Sequence, residues 1–325
     1  MFRLLPLILF FTLFAFVPVH AQQVGAEPLT VSISPTYPKP YQTITIIPAS
    51  TIIDLSASTV TISANGKVIH KGSGAERANV QLGGPGSVTT ITVTAVTAGR
   101  TYSKQMTVRP ADIALIIEPS TTAHPFYQGG TPVGSEGRLR IVALPDIRTT
   151  TGARVAPENL IYTWKVDDRL LEAQSGIGKS VLTATAPVRY RDTTVTLTVA
   201  SADSSYVAQA QTTVSPIDPV VRIYQNDPLL GPLFDHALSG TLPMEGEEET
   251  YRAVPYFFSS APALTWSVNG APSGGEKDIT LRSTGTGGGT AALSVSAKQP
   301  TTHQTGDARI SIQFSSGGGL GIFGL

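Results

Sequence analysis

One short pattern returns along this chain at a fixed interval, and that constrains the fold more than any other feature. Leu264-Thr265-Trp266-Ser267-Val268-Asn269-Gly270 is matched by Tyr162-Thr163-Trp164-Lys165-Val166-Asp167-Asp168. A looser copy is Thr61-Ile62-Ser63-Ala64-Asn65-Gly66. The anchor residues Ile62, Trp164 and Trp266 are separated by 102 residues in both intervals. A matched motif at equal spacing marks a repeated structural unit, and a repeat fixes the architecture before any local reading.

The flanks repeat as well. An alternating stretch ending in proline precedes each copy: Thr43 to Pro48, Arg138 to Pro145, and Glu249 to Pro255. A second alternating stretch follows it: Ile91 to Val96, Val195 to Ala200, and Ala292 to Ala297. Thr101 to Val108, Ser205 to Val214 and Ala308 to Phe314 read as the closing strands, the last after a longer turn. Ile113 to Ile117 and Val220 to Tyr224 open the next units, just after the matched junctions at Pro110 and Pro216. Period-2 alternation broken by Gly, Pro, Asn and Asp turns, with no sustained 3.6-residue period, predicts an all-β chain of antiparallel two-sheet sandwiches. A large side chain at a fixed central position is what fills the roughly 10 Å gap between two such sheets. Ile62, Trp164 and Trp266 are therefore expected in the core, rather than as sugar-stacking platforms.

Tyr162-Thr163-Trp164-Lys165-Val166-Asp167-Asp168 resembles the PKD and bacterial immunoglobulin-like motif, in which a Tyr-x-Trp strand runs into a Gly-Asp-Gly turn. This chain lacks the full turn, so the likeness supports the sandwich and not one named family. The chain as a whole resembles exported proteins of candidate-phyla bacteria with three immunoglobulin-like domains. That likeness is carried by Ile223-Tyr224-Gln225-Asn226-Asp227-Pro228-Leu229-Leu230-Gly231 and by the Phe323-Gly324-Leu325 end. It implies a surface or envelope location and assigns no activity.

Residues 1–21 read as a signal peptide: Arg3, an uncharged apolar run from Leu4 to Val17, and small residues before a cleavage point after Ala21. The run is shorter than the roughly 20 residues of a spanning helix, so cleavage is expected over retention as an anchor. With no cysteine in the chain, lipoprotein anchoring, disulfides, thiolate metal sites and cysteine nucleophiles are all excluded. The expected layout is domains at 22–110, 111–217 and 218–314. A glycine-rich linker and apolar tail occupy 315–325. Leu320, Ile322, Phe323 and Leu325 of that tail are candidates for docking to a partner's sheet edge or groove. There is no Leu-Pro-x-Thr-Gly sorting motif.

Each hint of chemistry has a plainer reading. Ala173-Gln174-Ser175-Gly176-Ile177-Gly178-Lys179-Ser180 fits a relaxed nucleotide-loop pattern, but that loop needs a helix after it. Val181 to Ala186 reads as a strand instead, so an ordinary loop is expected. His70, His124, His236 and His303 are scattered without metal-ligand spacing. Phe234-Asp235-His236 contains the one Asp-His neighbour pair and has no Gly-x-Ser-x-Gly beside it. Glu245, Glu247, Glu248 and Glu249, like Asp167 and Asp168, lack the alternating pattern of a calcium loop and read as solvated turns. Tyr37, Tyr41, Phe126 and Tyr127, in proline-rich loops, are the aromatic residues expected to make exposed contacts.

Charge is balanced overall, with 23 basic and 23 acidic residues, but it is unevenly placed. Residues 22–110 carry a balance of +4, residues 111–217 of −1, and residues 218–325 of −4. The sequence leads to a non-enzymatic exported protein: a rod of modules for adhesion, or for assembling a pilus or secretion apparatus. The alternative is a glycan- or peptidoglycan-binding protein, and a hydrolase is the weakest reading. The expected partner is another envelope protein or a cell-wall polymer. No nucleic acid, nucleotide, metal or cofactor is expected, and the membrane is met only through an uncleaved leader.

Overall fold

Strands account for nearly all of the regular structure. The computed structural model describes residues 27–123, 127–284 and 287–314; the predicted leader and tail lie outside the described residues. The first unit holds β1 (Thr30–Ser34), β2 (Thr43–Ala49), β3 (Thr59–Ala64), β4 (Lys67–Ser73), β5 (Ala78–Gln81), β6 (Thr89–Thr97) and β7 (Arg100–Val108). The second holds β8 (Asp112–Pro119), β9 (Arg138–Asp146), β10 (Ile161–Val166), β11 (Arg169–Leu170), β12 (Gly176–Ile177), β13 (Val181–Thr185), β14 (Thr193–Ala200) and β15 (Val207–Val214). The third holds β16 (Val220–Asp227), β17 (Gly231–Pro232), β18 (Gly240–Pro243), β19 (Glu248–Tyr256), β20 (Ala263–Val268), β21 (Ala271–Gly274), β22 (Asp278–Arg282), β23 (Gly289–Lys298) and β24 (Thr305–Phe314). Two single turns of 3-10 helix, Pro157–Asn159 and Glu172–Gln174, are the helical elements among the described residues. No helix among them is long and apolar enough to cross a membrane.

All three units use one topology. In the first, sheet β1-β2-β5 faces sheet β4-β3-β6-β7. In the second, β8-β9-β13 faces β11-β10-β14-β15, with β12 also paired to β10. In the third, β17-β16-β19-β22 faces β21-β20-β23-β24-β18. The chain changes sheet after its second main strand, returns, and changes again before the closing hairpin. That is a Greek-key sandwich of the immunoglobulin-like kind. The one departure from antiparallel pairing within these sheets is β18, which runs parallel to β24 from Gly240 opposite Ile310 to Pro243 opposite Gln313.

Alternation explains which face each strand buries. Along β2, Ile44 and Ile46 point inward, and along β6 so do Ile91, Val93 and Ala95. The units have separate cores: one around Ile62, one around Trp164 and one around Trp266. The prolines Pro48, Pro145 and Pro255 fall one residue before the ends of β2, β9 and β19. Each lies past the last residue paired to the strand on its far side, which is Ile46, Val142 and Arg252 respectively. Proline cannot donate to a ladder, so it is tolerated where the second partner has ended.

The turn after the central strand is built alike three times. Asn65-Gly66, Asp167-Asp168 and Asn269-Gly270 all take positive φ at both positions. That is the geometry of a two-residue hairpin turn matched to strand twist. In each unit the first turn residue makes a reciprocal pair of bonds with the neighbouring strand. The amides of Thr90, Thr194 and Ala292 donate to the side-chain oxygens of Asn65, Asp167 and Asn269 at 2.8, 2.9 and 2.8 Å. The backbone amides of those turn residues donate back to the same three partners.

Asp168 is the odd member. Its φ of +64° is a region that glycine adopts freely and other L-residues enter at a cost. Asp168→Gly is expected to stabilise the second unit by about 1 kcal/mol, read as a higher urea midpoint. A lower midpoint would show that the aspartate contributes something the turn geometry does not.

Candidate functional site

The three anchors are fully buried. Trp164 donates its indole N–H to the Lys179 carbonyl at 2.9 Å, and Trp266 donates to the Glu276 carbonyl at 2.9 Å. Each indole thus ties the central strand to the loop that returns to the opposite sheet. Buried in this way, the two rings offer no face for a sugar to stack on.

The nucleotide-loop look-alike is part of the same construction. Its Lys179 turns back, donating from Nζ to the Ala173 carbonyl at 2.7 Å, and β13 follows where a phosphate loop would need a helix. Asp235 and His236 are bonded at 2.8 Å on an exposed loop. The imidazole beside it lowers the Asp235 carboxyl below its ordinary value. His70 lies 3.6 Å from Glu76, His303 lies beside the second junction, and His124 is outside the described residues. The acidic run is divided among separate partners. Glu248 pairs with Arg282, while Glu249 accepts from the Tyr251 hydroxyl at 2.6 Å and from the Glu245 amide at 2.8 Å. No three His, Asp or Glu among the described residues are grouped to hold a metal ion.

The units meet through direct contacts. At the first junction Lys39 pairs with Asp112 at 2.9 Å, and Arg109 donates to the Ser205 carbonyl while lying over the Tyr206 ring. Tyr37 lines a hollow of about 320 Å³ there, whereas Tyr41 is exposed.

The second junction is tied more closely. Thr122 donates from its amide to the Phe258 carbonyl at 2.8 Å, and the Phe257 amide donates to the Thr122 carbonyl at 2.7 Å. Gln304 Nε2 donates to the Ser135 carbonyl at 2.7 Å in a buried position, and Gly134 bridges to Ile217. A β-carbon on Gly134 would lie 2.3 Å from the Phe257 carbonyl oxygen, so the backbones touch at that point.

Beside this junction lies a groove of about 360 Å³ walled by Tyr127 from the second unit and Tyr224, Phe234, Tyr256 and Phe257 from the third. Tyr127 packs edge-on to Phe257 at 5.2 Å between ring centres and lies 6.5 Å from Tyr256. Tyr224 meets Phe234 at 5.1 Å, and its hydroxyl bonds that of Tyr256 at 2.9 Å. Burial, and then the Tyr224 hydroxyl, push the Tyr256 phenol well above its usual value, so it stays protonated. Gln128 and the exposed Arg222 complete the lining. Of the aromatic residues singled out from sequence, Tyr127 reaches this cluster; Phe126 is outside the described residues. The other four rings come from distant strands and loops, and no local pattern marks them.

No protein-family model matches the chain, and no curated protein does. Among solved structures it is similar to the three N-terminal domains of the bacteriophage RB49 Highly Immunogenic Outer Capsid protein. That match has 14% identity and a TM-score of 0.26, covering 88% of this chain and 99% of that one. Fibronectin(III)-like modules of Clostridium thermocellum CbhA match at 11% identity and a TM-score of 0.27, over 57% of this chain and 94% of theirs. The central fibronectin-III array of RIM-binding protein matches at 12% identity and a TM-score of 0.28, over 87% and 95%. At such scores these likenesses carry no argument, and the fold rests on the strand pairing described above.

Proposed function

We propose that this chain is a non-enzymatic exported protein of the cell surface or envelope. Its sandwiches form a row that presents loops for adhesion or for assembling a surface apparatus, such as a pilus or secretion accessory. The observation that supports this most is the second junction. Three backbone or buried side-chain bonds and a glycine contact hold two sandwiches against each other, where flexible linkers would leave them free. Such a joint maintains a fixed spacing between binding loops, which a scaffold needs. The resemblance to exported three-domain proteins and the reading of residues 1–21 as a leader point the same way.

The test is protease treatment of intact cells, followed by fractionation. The protein is expected in the envelope or medium and cleaved from outside. Recovery in the cytoplasm, fully protected, would overturn the proposal. The aromatic groove favours a second reading, binding of a wall or surface glycan.

A further inference from the structure

We infer that the groove between the second and third units, with the hollow that continues it past Phe234, binds an acidic saccharide. This rests on reading the chain as a binding scaffold and specifies what it binds. The groove presents aromatic rings with polar atoms at their rims, the usual composition of a small-ligand site. Tyr127 is exposed and Tyr256 half-buried, so ring surface faces the opening. One hydroxyl of the Tyr224–Tyr256 pair donates to the other, which leaves the pair one O–H to offer outward. The Gln128 amide adds both a donor and an acceptor.

Charge decides the class of ligand. Residues 218–325 carry a balance of −4, yet Arg222 in the groove has no ion pair among the described residues. Phe234 is shared with a second hollow of about 330 Å³, whose lining includes Lys277, also without an ion pair among the described residues. Arg252 in the same lining is already committed to Asp278 at 2.6 Å. Two uncommitted cations on either side of a shared ring suit a chain of sugar rings bearing carboxylates. The rings would lie on the apolar faces and the acids would meet Arg222 and Lys277. A proline-rich peptide would use the aromatic faces and leave both cations without partners.

The test is calorimetric titration of the full mature chain with oligogalacturonate, and with a neutral oligogalactoside of the same length. The acidic ligand is expected to bind in a saturable, salt-sensitive manner, and more tightly as its length grows enough to reach both hollows. Arg222→Gln should weaken the acidic ligand by about tenfold, as the loss of a charged hydrogen bond implies, and leave the neutral one unchanged. Tyr127→Ala should weaken both ligands, with an unchanged thermal melt confirming the fold. Equal affinity for the two ligands, an unaltered Arg222→Gln, saturable binding of a proline-rich peptide in their place, or no binding at all would each overturn the inference. These outcomes leave the envelope reading intact, since that stands or falls on location in cells.

Discussion

Trp164→Ala is expected to remove about 3–5 kcal/mol from the second unit, the range for truncating a buried large aromatic residue. Two losses combine. The ring is fully buried among Leu197, Val195, Leu182 and Ile141, so its removal leaves a void between the sheets. The Lys179 carbonyl also loses the indole N–H that donates to it. A domain of this size shifts its melting temperature by about 4–8 °C per kcal/mol, so the second unit should melt on the order of 15 °C earlier or more. The other two cores share no residue with it, so their transitions should move little. Calorimetry on the full chain resolves these events, and limited proteolysis identifies the unit that opens first. Trp164→Phe should cost less, because the space is partly refilled and only the carbonyl loses its partner. An alanine variant with an unchanged melt would mean that the ring does not hold the sheets together.

Gly134→Ala is expected to break the second junction without unfolding either sandwich. The added methyl would meet a backbone carbonyl at 2.3 Å, and a backbone atom cannot turn aside as a flexible side chain can. Thr121 Cγ2 lies 2.9 Å from the same point, a second close contact for the methyl. Overpacking of this kind costs about 1–3 kcal/mol, comparable to what a few hydrogen bonds contribute net. The third unit should therefore swing free, losing the Thr122–Phe257 and Gln304–Ser135 bonds. The chain has no cysteine, so Arg169→Cys and Ala271→Cys would provide the only thiols for a pair of spin labels. A single narrow distance in the parent should become broad in the Gly134→Ala background. An equally narrow distribution would show that other contacts hold the joint.

How much was legible depended on burial. The strands β2, β6, β9, β14, β19 and β23 sit in the middle of their sheets with one face on the core, so alternation marks them clearly. The predicted starts and ends differ from the observed ones by a few residues: β15 begins at Val207 rather than Ser205, and β24 at Thr305 rather than Ala308. The edge strands β4 and β5 were silent. Lys67–Ser73 has no regular inward face, and Ala78–Gln81 is too short to show a period. The paired turn residues could be seen in the motif, but their bonds to the neighbouring strand needed coordinates, because Asn65 and Thr90 are brought together only by the sandwich. The groove was hidden for the same reason. The third sandwich gathers its rings at 224, 234, 256 and 257 from separate strands and loops, and the junction adds Tyr127.

The parallel pairing of β18 with β24 has a mechanical side. If the chain is anchored at one end and pulled at the other, β18 is drawn towards the start of the third unit and β24 towards its end. For parallel neighbours these pulls oppose each other along the strand axis, so the bonds between Gly240–Pro243 and Ile310–Gln313 are loaded in shear and must yield together. An antiparallel hairpin peeled from its open end yields one bond at a time. Among the described residues the second unit has a single bridge of the parallel kind, between Gly134 and Ile217, and the first has antiparallel pairings alone. A row built this way is graded in strength: under load the first sandwich gives way early, and the third, which carries the aromatic groove, keeps its grip longest.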